Sequence, residues 1–539
     1  MSAHSDSVGS AVRLPVPAVS NRARKTKPSS LLQTPVVLEA FLISASFHVV
    51  AAAVLGVPSG APTIPFILLS VSDIALIALA CVPLVGMRRS LLAWHDPLVY
   101  LGILFLLSTC MFYCAYLYDP SFMVGYVSFL GNNFSGVSES TLLYVFAKAT
   151  CIEAMYFALI LLFNRRVLLP TFVRAGKSDE AYGATFAGVL LMGLGAYGVL
   201  KLRATPFFSQ VIGNLGRSMA TPPTGLARYV MLAGVAASAV SLALVGWLNI
   251  TAPTRKKLSV WRSVLPGTLI ALSVLPSIFF GSRISVILAV FVALAVLRHF
   301  GYTLSPRVLT ALICVGVVGA FAVTVLRANA GVAESLDARL LSSSSLSTLA
   351  GNRDRIAFLA LNMDRTANTS LVIRQMETTG HYLWGATLVA GWDAVAYDYA
   401  SRLGLVSSGY QPLRTPNVYM ELWRFGQITN RSTVPPGVPS EFYMNGGYVG
   451  VLVFGSGFGW VFAFLRRRMW KSSSLASRWL YVTVLLFVAT DSLTQTSLLA
   501  AQLGYTIAAI MLAVLLFRLA VRLSTRRQSR TAAAAGVSQ

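Results

Sequence analysis

The chain has 539 residues, 56% of them hydrophobic and only 12% charged, a composition that one soluble core cannot absorb because such cores stop growing well below this length. Apolar runs of about twenty residues recur from Val36 to Val521 and are continuous rather than alternating. That excludes a β-barrel and predicts an all-α polytopic integral membrane protein. The net charge of +24, from 43 Lys and Arg against 19 Asp and Glu, is read as a topology signal in loops, so no nucleic-acid partner is expected.

In chain order, residues 1–34 are Ser/Pro-rich and basic, with Arg13, Arg22, Arg24, Lys25 and Lys27. No small-residue cleavage signal follows, so they read as a retained cytoplasmic tail. Apolar runs then predict helices near 35–56, 63–86, 98–118, 141–164, 184–202, 229–250, 264–281, 284–300 and 308–326. A large hydrophilic loop fills 327–446. Further helices are expected near 447–465, 479–497 and 501–521, about twelve spans in all, and residues 522–539 form a second basic tail. Asp491, Thr494 and Gln495 interrupt the last pair.

Alternating the loops from a cytoplasmic start puts 27 of the 43 Lys and Arg on the inner side, while the short outer loops 57–62, 119–140 and 492–500 carry none. That register places both termini in the cytoplasm. The outer remainder is uneven: Lys201, Arg203, Arg217 and Arg228 in one loop, Arg283 in the Gly281-Ser282-Arg283 turn, and the rest, from Arg327 onward, in the large loop. Within that loop, 353–379 and 384–404 have helical spacing, and Pro416 is placed to open another helix. The Ser-rich stretch 341–349 reads as flexible, and no internal repeat is evident.

The five cysteines, Cys81, Cys110, Cys114, Cys151 and Cys314, all lie in apolar runs, so no disulfide framework or metal cluster is implied. The outer side has no Asp-x-Asp or Glu-x-Asp pair, and no metal site is expected. Asp73, Lys148 and Glu153 fall inside apolar helices, where an unpaired charge is costly. A cross-helix pair of Asp73 with Lys148 is the expected solution, with Glu39 and His48 in the same network.

The densest motif spans 435–450, Pro-Pro-Gly-Val-Pro-Ser-Glu-Phe-Tyr-Met-Asn-Gly-Gly-Tyr-Val-Gly. Three prolines stiffen the approach to the next helix and the glycines permit a tight re-entry. Glu441, Tyr443 and Asn445 alternate there, in what reads as an extended or turn-like stretch at the membrane boundary. The simplest role for Glu441 is a helix N-terminal cap.

The pattern Glu-x-Tyr-x-Asn-x-Gly-x-x-Gly, carried by Glu441, Tyr443, Asn445, Gly447 and Gly450 after a Pro-rich loop, resembles that of Wzy-type O-antigen and exopolysaccharide repeat-unit polymerases. The Gly-Ser-Arg turn at 281–283 is similar to a segment of the same family. The chain departs from it at Gly446, where an aromatic residue is frequent, and at Ser440, where glycine is common. The Pro-Arg and Lys-Pro signature of many large loops is missing.

The resemblance implies a bacterial inner-membrane enzyme that joins undecaprenyl-pyrophosphate-linked oligosaccharide repeats on the periplasmic side. It implies no metal or other cofactor; the expected partners are the lipid-linked substrate, membrane lipids and a chain-length regulator. The departing pyrophosphate gains negative charge, which guanidinium groups hold well. Arg283 and Arg217 are then the catalytic candidates with Glu441. Arg203, Arg327, Arg414, Arg424, Tyr443, Asn445 and His381 are the substrate-binding candidates. An acceptor hydroxyl needs a base, with Glu441, Glu421, Asp393, Asp398 and His381 in view. Tyr382, Trp384, Trp392, Tyr397, Tyr410, Tyr419 and Trp423 would stack on sugars or form an interfacial belt. Two alternatives remain: a ligase-like transferase to another acceptor, and a flippase or transporter, which calls for paired repeats and broken helices.

Overall fold

The computed structural model describes, with short interruptions, residues 96–105, 139–164, 178–205, 227–251, 258–279, 283–328, 365–406, 410–428 and 436–492, and scattered positions as far as 523. The expected helices at 35–56 and 63–86, most of those at 98–118 and 501–521, the stretch 341–349 and both tails lie outside the described residues.

Among the described residues every regular element is an α-helix. They are α1 (Glu139–Asn164), α2 (Ser178–Arg203), α3 (Ala227–Thr251), α4 (Val260–Phe279), α5 (Arg283–His299) and α6 (Pro306–Ala328). Then come α7 (Thr366–Thr379), α8 (Ala386–Arg402), α9 (Pro416–Phe425), α10 (Val438–Lys471) and α11 (Leu475–Asp491). Three stretches, Tyr144–Asn164, Glu180–Arg203 and Val438–Lys471, are long and apolar enough to cross a membrane. α2 and α10 also turn apolar side chains outward, including Tyr182, Phe186, Leu200, Val449, Val453 and Trp460, more than a soluble surface carries in one place.

Small residues let the helices close on one another. A Cβ on Gly188 of α2 would fall 2.5 Å from the backbone nitrogen of Ala243 in α3. On α10, Gly455 and Gly459, one turn apart, receive Tyr156, Leu159, Ile160 and Phe163 of α1. Tyr156 also packs its ring, tilted or edge-on, against Phe105, Phe442 and Phe458.

Polar ties gather the helix ends that the sequence assigns to inner loops at one end of the bundle. Arg466 near the end of α10 holds Asp96 through two nitrogens, with Nε 3.0 Å from Oδ1, and both residues are buried. His299 packs on Trp470, the Leu475 N–H donates to Glu180, and the Ser305 N–H donates to Ser263 Oγ. Tyr302 Oη donates to Asn249 at 2.6 Å, and burial pushes its phenol up to about 12. From this end, helix length alone carries Arg203, Arg283 and Ala328 to the opposite end.

Of the helical pattern over 353–379, residues 366–379 are observed as α7 and 353–364 lie outside the described residues. One feature of the large loop departs from the sequence reading. Residues 438–445 are helical rather than extended, and they double back on the rest of α10 across a break at Gly446 and Gly447. Gly447 has φ +59 and Gly446 is also non-helical. The returning segment lies flat against its continuation: Phe442 meets Phe454 and Phe458, and a Cβ on Gly450 would strike the Phe442 carbonyl at 2.3 Å.

Candidate functional site

The motif side chains serve different neighbours. Glu441, wholly buried in the first turn of α10, accepts the Thr496 N–H at 2.7 Å and the Thr496 hydroxyl at 2.6 Å, and Thr387 also hydrogen-bonds it. It does not cap its own helix, whose N-cap is Gly437. Instead it clamps the doubled-back segment to the chain beyond α11, and Val438 adds a bond to the Ser492 carbonyl. Among the described residues no Lys, Arg or His forms an ion pair with it.

Asn445 uses both ends of its amide. Its nitrogen donates to Thr387 Oγ1 at 2.6 Å and to the Glu441 carbonyl at 2.7 Å, and its oxygen receives the Gly385 N–H at 2.8 Å. The Leu383 N–H donates to the Met444 carbonyl. The six-residue connection 380–385 between α7 and α8 is therefore held by the motif from two sides. Gly447 completes the fit, since a Cβ there would lie 2.8 Å from Tyr382 Oη. At the tip, Trp384 is the one non-glycine residue with positive φ among those described (φ 48), and it is 83% exposed. A bulky side chain in that region is strained and persists only where its surroundings enforce it.

Beside this connection α7 packs against α1. Thr369 donates to Glu153 at 2.9 Å and lies 2.6 Å from the Ser440 hydroxyl. Higher up, Lys148 forms an ion pair with Glu377 and sits 4.5 Å above the Tyr144 ring. Lys148 thus takes its carboxylate from the large loop, and the expected partner Asp73 lies outside the described residues. Tyr382, Tyr443 and Tyr448 meet edge-on in series, with Tyr443 buried and the other two half-buried.

The other sequence candidates divide by position. Tyr443 and Asn445 are buried in α10, His381 is exposed just after α7, and Arg414 is exposed before α9. Arg203 is exposed at the end of α2. Arg283 opens α5, Arg327 lies in α6 and Arg424 in α9, but their side chains are outside the described residues, as is all of Arg217. Of the acidic candidates, Asp398 pairs with Arg402 at 2.8 Å. Asp393 binds the Leu413 N–H and Tyr410, and that bond raises the Tyr410 phenol. Glu421 is buried in α9.

Glu377 was missed by the sequence reading, because its partner lies 229 residues away. The available signal was Lys148, a cation within an apolar run that had to find an anion. No metal-binding group of His, Cys, Asp or Glu occurs among the described residues. Comparison with family models, curated proteins and solved structures finds no match for this chain.

Proposed function

We propose that this protein polymerises oligosaccharide repeats carried on undecaprenyl pyrophosphate, at the outer face of a bacterial inner membrane. One observation carries the reading. Asn445 and Gly447 of the motif brace the connection that displays Trp384, Glu441 anchors the segment that carries them to Thr496, and the Lys148–Glu377 ion pair lies on the adjoining helix α7. Aromatic faces, hydroxyls and carboxylates are the groups that bind sugars. The helix ends that flank the expected basic inner loops gather at the other end of the bundle, as the positive-inside preference expects if the Trp384 connection faces out. In this reading Arg283, Arg217, Arg203 and Arg327 hold the pyrophosphate, with Arg414, Arg424 and His381 toward the glycan.

The buried position of Glu441 changes its part. Both carboxylate oxygens are already engaged by Thr496, so it acts as a positioning residue that fixes the start of α10 and with it Asn445. The direct test is polymer laddering by the purified protein in liposomes loaded with the lipid-linked repeat. Wild type gives a ladder and Arg283→Ala leaves single repeats; a wild type that leaves only single repeats overturns the proposal.

A second reading, a flippase, draws on the break in α10 at Gly446 and Gly447, since broken helices suit transporters. It expects inactive variants to retain lipid-linked repeats on the cytoplasmic face. A polymerase defect leaves them on the periplasmic face.

A further inference from the structure

Among the described residues, three carboxylates lie on the packed helices α1, α7 and α10, and they differ in what they can reach. Glu441 and Glu153 are 0% and 2% exposed and are bonded to Thr496 and Thr369. The Glu377 side chain is 36% exposed. It spends one oxygen, Oε1, on Lys148, and among the described residues no hydrogen bond engages Oε2.

We propose that Glu377 is the general base of the glycosyl transfer, the group that takes the proton of the acceptor sugar hydroxyl. The inference rests on the polymerase reading. A general base must come within hydrogen-bond distance of the proton it removes, and of the three carboxylates only Glu377 is open to an incoming hydroxyl. Lys148, seated over Tyr144, fixes the carboxylate by Oε1 and leaves Oε2 for the acceptor hydroxyl. Glu377 sits in the last turn of α7, seven residues before Trp384, and that helix leads through Tyr382, which meets the Trp384 ring edge-on. A glycan stacked on that exposed tryptophan would lie at the same end of α7 as the carboxylate.

The step balances without a further reactant. The acceptor oxygen forms a bond to the anomeric carbon of the donor repeat. The bond from that carbon to the pyrophosphate oxygen breaks, and its electron pair leaves with the lipid pyrophosphate. The hydroxyl proton passes to Glu377 Oε2 and then to solvent.

The test uses the full-length protein in liposomes with the lipid-linked repeat. Glu377→Gln is expected to lower kcat by about 10²–10⁴-fold with KM within about threefold of wild type. Added formate is expected to restore Glu377→Ala by at least about tenfold, because a small carboxylate enters the gap that the missing base leaves. Lys148→Met breaks the same ion pair but keeps the carboxylate, so its loss should be much smaller and insensitive to formate.

A ladder from wild type together with near-normal Glu377→Gln would overturn the base assignment and leave the polymerase reading intact. So would equal losses in Glu377→Gln and Lys148→Met with no formate rescue, which would make the pair a structural tie. A wild type that makes no ladder would overturn both.

Discussion

Thr496 gives Glu441 both its backbone N–H and its hydroxyl, one to each carboxylate oxygen, across 55 residues of chain. The contact joins the doubled-back start of α10 to the segment after α11, and through Asn445 it also fixes the connection carrying Trp384. The charged group most visible in the motif is thus spent on architecture, and the more open acid lies on α7.

Removing that clamp exposes its energetics. Glu441→Ala leaves the half-buried Thr496 N–H and hydroxyl without their acceptors, at a cost of up to about 1–3 kcal/mol per unmet group. Glu441→Gln retains one acceptor and turns an NH₂ toward a donor, so it should lose less. Thermal unfolding in detergent should rank wild type above Gln and Gln above Ala. An Ala variant as stable as wild type would remove the clamp from the account.

Gly447 has two independent reasons to be glycine: φ is +59, and a Cβ would lie 2.8 Å from Tyr382 Oη. Gly447→Ala should destabilise by about 1–3 kcal/mol. Adding Tyr382→Phe removes the nearest atom but not the backbone strain, so it should recover only part of the loss. Full recovery in the double variant, measured by thermal unfolding, would mean that the steric contact alone matters.

At the other end, Asp96 and Arg466 form a buried bidentate pair. Asp96→Asn strands the guanidinium in the interior, which costs about 3–5 kcal/mol. Low yield of folded protein and a lower unfolding temperature are expected. Replacing both residues by apolar ones of similar size should be far milder, and a double variant as damaged as the single would contradict the ion-pair explanation.

Trp384 offers opposite signs for stability and activity. Asn accepts the left-handed region that Trp adopts here at φ 48, so Trp384→Asn should be as stable as wild type or more so by about 1 kcal/mol. If the indole stacks on the glycan, the same variant should raise KM for the lipid-linked repeat by about tenfold, a loss of roughly 1.4 kcal/mol. Unchanged KM would return Trp384 to the interfacial belt.

The helices α1 to α6 were legible because hydrophobic run length needs no tertiary information: each of the six spans expected from 141–164 to 308–326 overlaps an observed helix. Pro416 marked the start of α9 through the fixed φ of proline. The motif at 435–450 was likewise visible, yet its conformation was misread. Its alternation suggested extended chain, while Phe442 against Phe454 and Phe458 stabilises a helix folded back on its successor. The partner of Lys148 was beyond reach for a related reason, since periodicity locates a charge on a helix but not the distant segment that meets it.

By itself the sequence determined that apolar helices dominate the fold, that Lys and Arg segregate to alternate loops, and that glycines and prolines crowd the entry to α10. These are local properties, set by how many consecutive residues avoid water and by the backbone freedom of single residues. Only the tertiary structure decided that Glu441 turns inward to Thr496, that Asn445 holds the Trp384 connection, and that Glu377 meets Lys148. Each of those contacts joins elements 50 or more residues apart, and a buried polar group takes whichever partner the packing brings within hydrogen-bond distance.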